Sequence, residues 1–158
     1  MNNTTKLIIS IATCEAVGIL GSIFTASSVD TWYSTLARPA FAPPNWIFGP
    51  VWTTLFALMG IAAFLVWREG MHRRAVRVAL GVGAVHLLLN FLWSLIFFGL
   101  RNPGLAFIEI IILWLAILAT MIAFARVSRA AAWLLVPYIV WVSFAAYLNY
   151  SIWIANIV

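Results

Sequence analysis

The sequence predicts an all-α membrane protein, a bundle of five transmembrane helices with a structured first extramembrane loop. Three observations lead there. Of its 158 residues, 65% are hydrophobic and only 8% charged, against roughly 25% charged in a soluble domain. The apolar runs are continuous and do not alternate, which excludes a β-barrel. Short polar links separate them, and the chain suits about five spans of some 20 residues each. The whole of 1–158 reads as one membrane domain.

Span one covers about residues 6–26. It runs on without a small-residue cleavage pattern, so it reads as a retained helix. Small residues recur at every fourth position, Ser10, Cys14, Gly18, Ser22 and Ala26. Such a stripe lets another helix come close, from the same chain or a second copy. Glu15 lies near the middle of this span, where a charge is expensive.

The loop at about 27–45 is the part that is neither a span nor a short turn. The stretch 32–52, WYSTLARPAFAPPNWIFGPVW, holds four of the six prolines (Pro39, Pro43, Pro44 and Pro50) together with Arg38. Proline fixes φ and pushes the residue before it away from helical geometry, so 38–44 is expected to be extended and stiff. Trp32, Tyr33, Phe41, Trp46 and Phe48 give the segment too much apolar surface to lie in water alone. It reads either as a rigid lid over a site or as an interfacial loop with its rings at headgroup depth.

Span two, about 44–67, begins with Pro44 in a first helical turn. A basic link follows, and span three, about 76–100, carries His86, Asn90, Trp93 and Ser94. Asn102-Pro103-Gly104 signals a tight turn. Span four, about 104–125, has Glu109 in its outer third. Span five, about 131–157, contains Pro137, which is expected to bend it locally.

Five spans put the N-terminus and links two-three and four-five on one side. That side carries seven of the nine Lys and Arg residues: Lys6, Arg68, Arg73, Arg74, Arg77, Arg126 and Arg129. Arg38 and Arg101 are left for the other. The positive-inside rule then puts the N-terminus in the cytoplasm and the lid outside, and the cytoplasmic (inner) membrane is the expected location. The net charge of +5 is thus a topology signal, and nucleic acid drops out as a partner. The single cysteine, Cys14, allows no internal disulfide. His72 and His86 have no cysteine or carboxylate at ligand spacing, so no metal is expected. Without a catalytic triad, P-loop or dinucleotide glycine pattern, neither a classical enzyme nor a required cofactor is expected.

Three helical faces combine ring edges with a few polar groups. His86, Asn90 and Ser94 stack at intervals of four, with Trp93 beside them. Pro137, Trp141, Ala145 and Asn149 do the same, with Tyr138 and Leu148 on the flank, and Trp52 follows Phe48. Asn90, Ser94, Tyr147 and Asn149 are expected to face protein or a cavity, because polar groups in hydrocarbon seek partners. Each residue alone is explained by interhelical packing. Three such faces under a rigid lid point to a small-molecule pocket. Glu15 and His86 both fall at about mid-depth and are expected to pair, with a proton-coupling role as the sharper alternative to a satisfied polar pair.

The motifs WYxxLxRPxFxPPxxxFxxVW (32–52), NFLWSLIFFG (90–99) and PYIVWVSFAAYLN (137–149) together resemble the translocator protein family (TspO/MBR, also called tryptophan-rich sensory proteins or peripheral-type benzodiazepine receptors). The nine tryptophans agree with the name. The resemblance implies a five-helix bundle, commonly a homodimer, whose aromatic pocket binds porphyrins such as protoporphyrin IX and isoquinoline carboxamide or benzodiazepine drugs. Carried over position by position, the pocket residues are Trp32, Tyr33, Phe48, Trp52, Asn90, Trp93, Ser94, Trp141, Ala145 and Leu148. Trp52 and Trp141 match the indoles linked in the family to light-dependent porphyrin breakdown, and would be catalytic only if porphyrin is degraded. Arg38 is placed to pair with porphyrin carboxylates at the outer mouth. His86 stands where the family often has glutamine or asparagine, so it joins the ligand-binding set as a point of altered selectivity. Tyr150 is followed by no basic residue, so the sterol motif of animal members is incomplete; a bacterial or archaeal source fits.

The leading function is therefore binding of tetrapyrroles for sensing, sequestration or transport. Light-dependent protoporphyrin IX degradation and a small proton-coupled exporter are the rivals. Dimerisation is expected through span three, where Ala75, Ala79 and Gly83 form a second small-residue stripe.

Overall fold

The computed structural model describes residues 2–157 and is mostly helical, with five helices long and apolar enough to cross a membrane. The chain is an integral, multi-pass membrane protein. Helix α1 (Asn3–Ser28) is capped by Asn2, whose Oδ1 accepts from the Thr5 amide at 2.8 Å. The lid contains a single helical turn, α2 (Trp32–Thr35). A 3₁₀ turn (Asn45–Ile47) leads into α3 (Phe48–Trp67). Helix α4 (Arg74–Ser94) ends in a π-helical turn, Leu95–Gly99. Asn102 caps α5 (Pro103–Ala125), with Pro103 in the first turn, where its missing N–H costs nothing. The last span is divided into α6 (Arg129–Leu134) and α7 (Val136–Ala155).

Three local expectations are corrected. Pro44 precedes the 3₁₀ turn that leads into α3, in extended geometry (φ −58°, ψ 144°), and is not part of the first turn of the second span. The proline segment is extended only in part, because a reverse turn closes at its centre, Ala42 N–H donating to Pro39 O at 3.0 Å. Pro137 does not bend a continuous helix. Without an N–H it cannot donate to the Trp133 carbonyl four residues back, so the helix stops at Leu134 and restarts with Pro137 in the first turn of α7.

The spans form a closed ring: α1 lies against α3, α3 against α6, α6 and α7 against α5, α5 against α4, and α4 against α1. The tightest seam is α1–α3. A methyl group at Gly60 would lie 2.5 Å from Ile11 Cα, and one at Gly18 2.5 Å from the Phe56 ring. The small-residue stripe of α1 therefore serves its own chain. It does not stay on one line, however. At 3.6 residues per turn, each four-residue step drifts by about 40°. Ser10 and Cys14 are buried, Gly21 and Ser28 continue the buried line, and Ser22 and Ala26 are exposed. Gly83 also turns inward, where a methyl would lie 3.4 Å from Phe124. It is half-buried, and that distance is ordinary van der Waals contact with α5.

Helix α3 meets the last span through α6 but makes little contact with α7. The bundle is thus closed at the end bearing most cations and splayed at the lid end. The core at the closed end packs Phe56, Met59, Val66, Leu113, Ile117 and Tyr138. Under the lid a second, aromatic cluster joins Tyr33, Phe97 and Phe98 to Leu148 and Ile152.

Candidate functional site

The splay between α3 and α7 leaves a cavity of about 340 Å³ directly beneath the lid. Phe48 and Trp52 reach it from α3, Asn90, Trp93 and Ser94 from α4, and Trp141, Ala145 and Leu148 from α7. Tyr33 hangs into it from the lid. The rings brace one another: Phe48 meets Trp141 edge-on at 6.1 Å, Trp52 meets Tyr138 at 6.3 Å, and Trp93 stacks on Phe97 at 5.1 Å. Their flat faces give a wide, weakly polar wall suited to stacking.

Hydrogen bonds hold the polar wall residues in place. Trp93 Nε1–H donates to Asn149 Oδ1 at 3.1 Å, and Asn149 Nδ2–H donates to the Pro103 carbonyl at 2.8 Å. Asn149 thereby ties α4, α5 and α7 together at one point. Asn90 Nδ2–H donates to Tyr138 Oη at 2.9 Å. We expect Asn149→Leu to destabilise the protein by about 1–3 kcal/mol, since it strands an indole N–H and a carbonyl in a buried site; equilibrium unfolding in detergent measures this.

The lid is fastened, not draped. The Asn156 side chain clamps the backbone of Ala37 from both sides, accepting from its N–H and donating to its carbonyl, each at 3.0 Å. Phe41 stacks on Tyr147 at 5.1 Å, and Ser28 Oγ–H donates to Phe98 O at 2.9 Å. Burial pushes the Tyr33 phenol above its usual range, partly offset by the Arg38 guanidinium 5.2 Å over its ring. The hydroxyl therefore stays protonated at neutral pH.

Nine of the expected pocket residues meet at this cavity, and three lie off its wall. Trp32 packs edge-on against Phe97 at 5.7 Å on the outer side of the aromatic cluster. Arg38 is exposed, sits on Tyr33 and donates to Asn45 Oδ1 at 3.2 Å. His86 points the other way, into a smaller space of about 200 Å³ shared with Cys14 and Met59. Its Nδ1 is 3.1 Å from Thr120 Oγ1 and its Nε2 3.5 Å from Met59 Sδ. The expected Glu15–His86 pair is therefore absent among the described residues: His86 is satisfied on α5 and α3, and Glu15 lies on the wall of the main cavity. Tyr147 is likewise 60% exposed and faces outward under Phe41.

The contribution of α1 was not expected. Gly18, Gly21, Ser22 and Thr25 also border the cavity, so the small-residue stripe makes room for a guest as well as for a neighbour. Glu109 is buried in α5, and neither carboxyl oxygen has a hydrogen-bond partner among the described residues.

A family model described as TspO/MBR matches residues 10–154. The chain is 47% identical over 146 residues to "Tryptophan-rich protein TspO" of Chlorobaculum tepidum, covering 92% of each chain. It is 44% identical over 154 residues to the protein of the same name in Archaeoglobus fulgidus, covering 98% of this chain and 99% of that one. The human "Translocator protein" is 42% identical over 139 residues, which cover 87% of this chain and 82% of that protein.

Proposed function

The chain belongs to the TspO/MBR family, and from that premise we propose that it binds porphyrin-type tetrapyrroles in the aromatic cavity beneath the lid, for sensing, sequestration or transport. Isoquinoline carboxamide and benzodiazepine-type drugs use the same space. The observation that carries this reading is the cavity of about 340 Å³ with Trp52, Trp93 and Trp141 on three of its sides. A planar macrocycle stacks on such indoles and gains most of its binding free energy by leaving water. Its carboxylates stay at the lid end, where Arg38 is the nearest lid cation in sequence to Tyr33. The end with seven cations faces the cytoplasm and the lid faces outward. The protein works as a homodimer, with the third span as the expected contact.

Titration with protoporphyrin IX tests the reading through quenching of tryptophan fluorescence. Saturable quenching is expected, with affinity reduced at least tenfold in Trp52→Leu. Quenching that is unsaturable, or unchanged in that variant, counts against it. Trp52 and Trp141 both border the cavity, which favours light-dependent porphyrin breakdown as the second reading. Illuminating the same mixture separates the two, because degradation alone bleaches the Soret band.

A further inference from the structure

Among the described residues, Glu15 is the one carboxylate on the cavity wall. It sits midway along α1, among the small residues that leave the cavity its space. Among the described residues it has no counter-ion, since both ion pairs, from Arg68 and Arg73, go to Glu69 in the link before α4. Lys6 lies nine residues down the same helix, about 13 Å along its axis. Arg38 is held on Tyr33 and Asn45 in the lid, and His86 faces away from the cavity onto Thr120 and Met59.

Most donors around the cavity are also engaged elsewhere, leaving the neutral Ser94 and Thr25 hydroxyls. The Trp93, Asn149 and Asn90 N–H groups bond to Asn149, Pro103 and Tyr138, and Ser22 Oγ–H bonds to its own helix at Ile19 O. Trp141 Nε1 and Tyr33 Oη have no partner among the described residues, but both atoms are buried. A carboxylate at this depth is costly unless something matches it. Among the described residues no cationic side chain supplies that match, although the site is surrounded with π-faces that attract cations.

We propose that this cavity takes planar aromatic cations, ring systems carrying a protonated amine, with Glu15 as the counter-ion at the inner edge and the ring flat against Trp52 and Trp93. The inference rests on the reading of the cavity as a ligand site. It also gives the site a polarity: cationic groups go inward to Glu15, and anionic groups stay at the lid.

The test compares two three-ring probes of similar size, 9-aminoacridine, a monocation at neutral pH, and acridone, which is neutral, by calorimetric titration of the detergent-solubilised full chain. Protoporphyrin IX is titrated in parallel. The expected result is binding of 9-aminoacridine at least tenfold tighter than acridone. That ratio falls to about one in Glu15→Gln and is largely kept in Glu15→Asp, which shows that the charge matters. If acridone and protoporphyrin IX bind but 9-aminoacridine has no advantage, or its advantage survives Glu15→Gln, the Glu15 inference is overturned and the cavity reading stands. If none of the three binds, both fall.

Discussion

Gly60→Leu is expected to destabilise the protein by about 3 kcal/mol or more, the upper range for overpacking a tight contact. A Cβ at position 60 would already lie 2.5 Å from Ile11 Cα and 2.9 Å from Ile11 N. These are backbone atoms, so no rotamer change relieves the clash, and α1 and α3 must separate along the seam that closes the ring. The Phe56 ring against Gly18, about one turn further along α3 and two along α1, would lose its contact as well. Gly81 provides the control, because a Cβ there meets nothing within 4 Å. Gly81→Ala is expected to stay within about 0.5 kcal/mol of the parent. Unfolding midpoints in detergent or bicelles measure both. Equal midpoints for the two variants would mean that the α1–α3 contact is looser than the structure has it.

Ala145→Trp is expected to weaken protoporphyrin IX binding at least a hundredfold while leaving the bundle folded. Ala145 projects from α7 into the cavity beside Trp141 and Leu148, and its methyl is the smallest side chain that α7 presents there. An indole in its place fills much of the 340 Å³, and filling a void restores contacts instead of breaking them. The unfolding midpoint should therefore hold or rise as affinity is lost. This opposite movement separates a blocked site from a damaged fold. Unchanged affinity would put the bound porphyrin somewhere other than this cavity.

The candidate site was partly legible in the chain. Trp52, Asn90, Trp93, Ser94 and Trp141 were on faces that helical spacing picks out, and the structure turns all five to one cavity. His86 shares the Asn90 face by spacing, yet one helical turn is enough to carry it past the cavity floor to Thr120 and Met59. Glu15 was visible as a misplaced charge, but its surroundings depend on α3 and α4, which lie far along the chain. The Asn156 clamp on Ala37 joins residues 119 apart, and an asparagine near a helix end carries no local sign of such a partner. The break at Leu135 was signalled by Pro137, although a kink and a stop look alike in sequence.

What the sequence determined by itself was membrane residence, five spans and the asymmetry of charge between the two ends. These are sums over consecutive residues, because transfer into hydrocarbon is a property of each segment taken alone. Only the tertiary structure decided where the hollow lies and which polar groups face it. Those depend on how far each helix is rotated and how closely it approaches its neighbours. Contacts such as Gly60 on Ile11 and α3 on α6 fix that geometry between segments whose local sequences carry no record of one another.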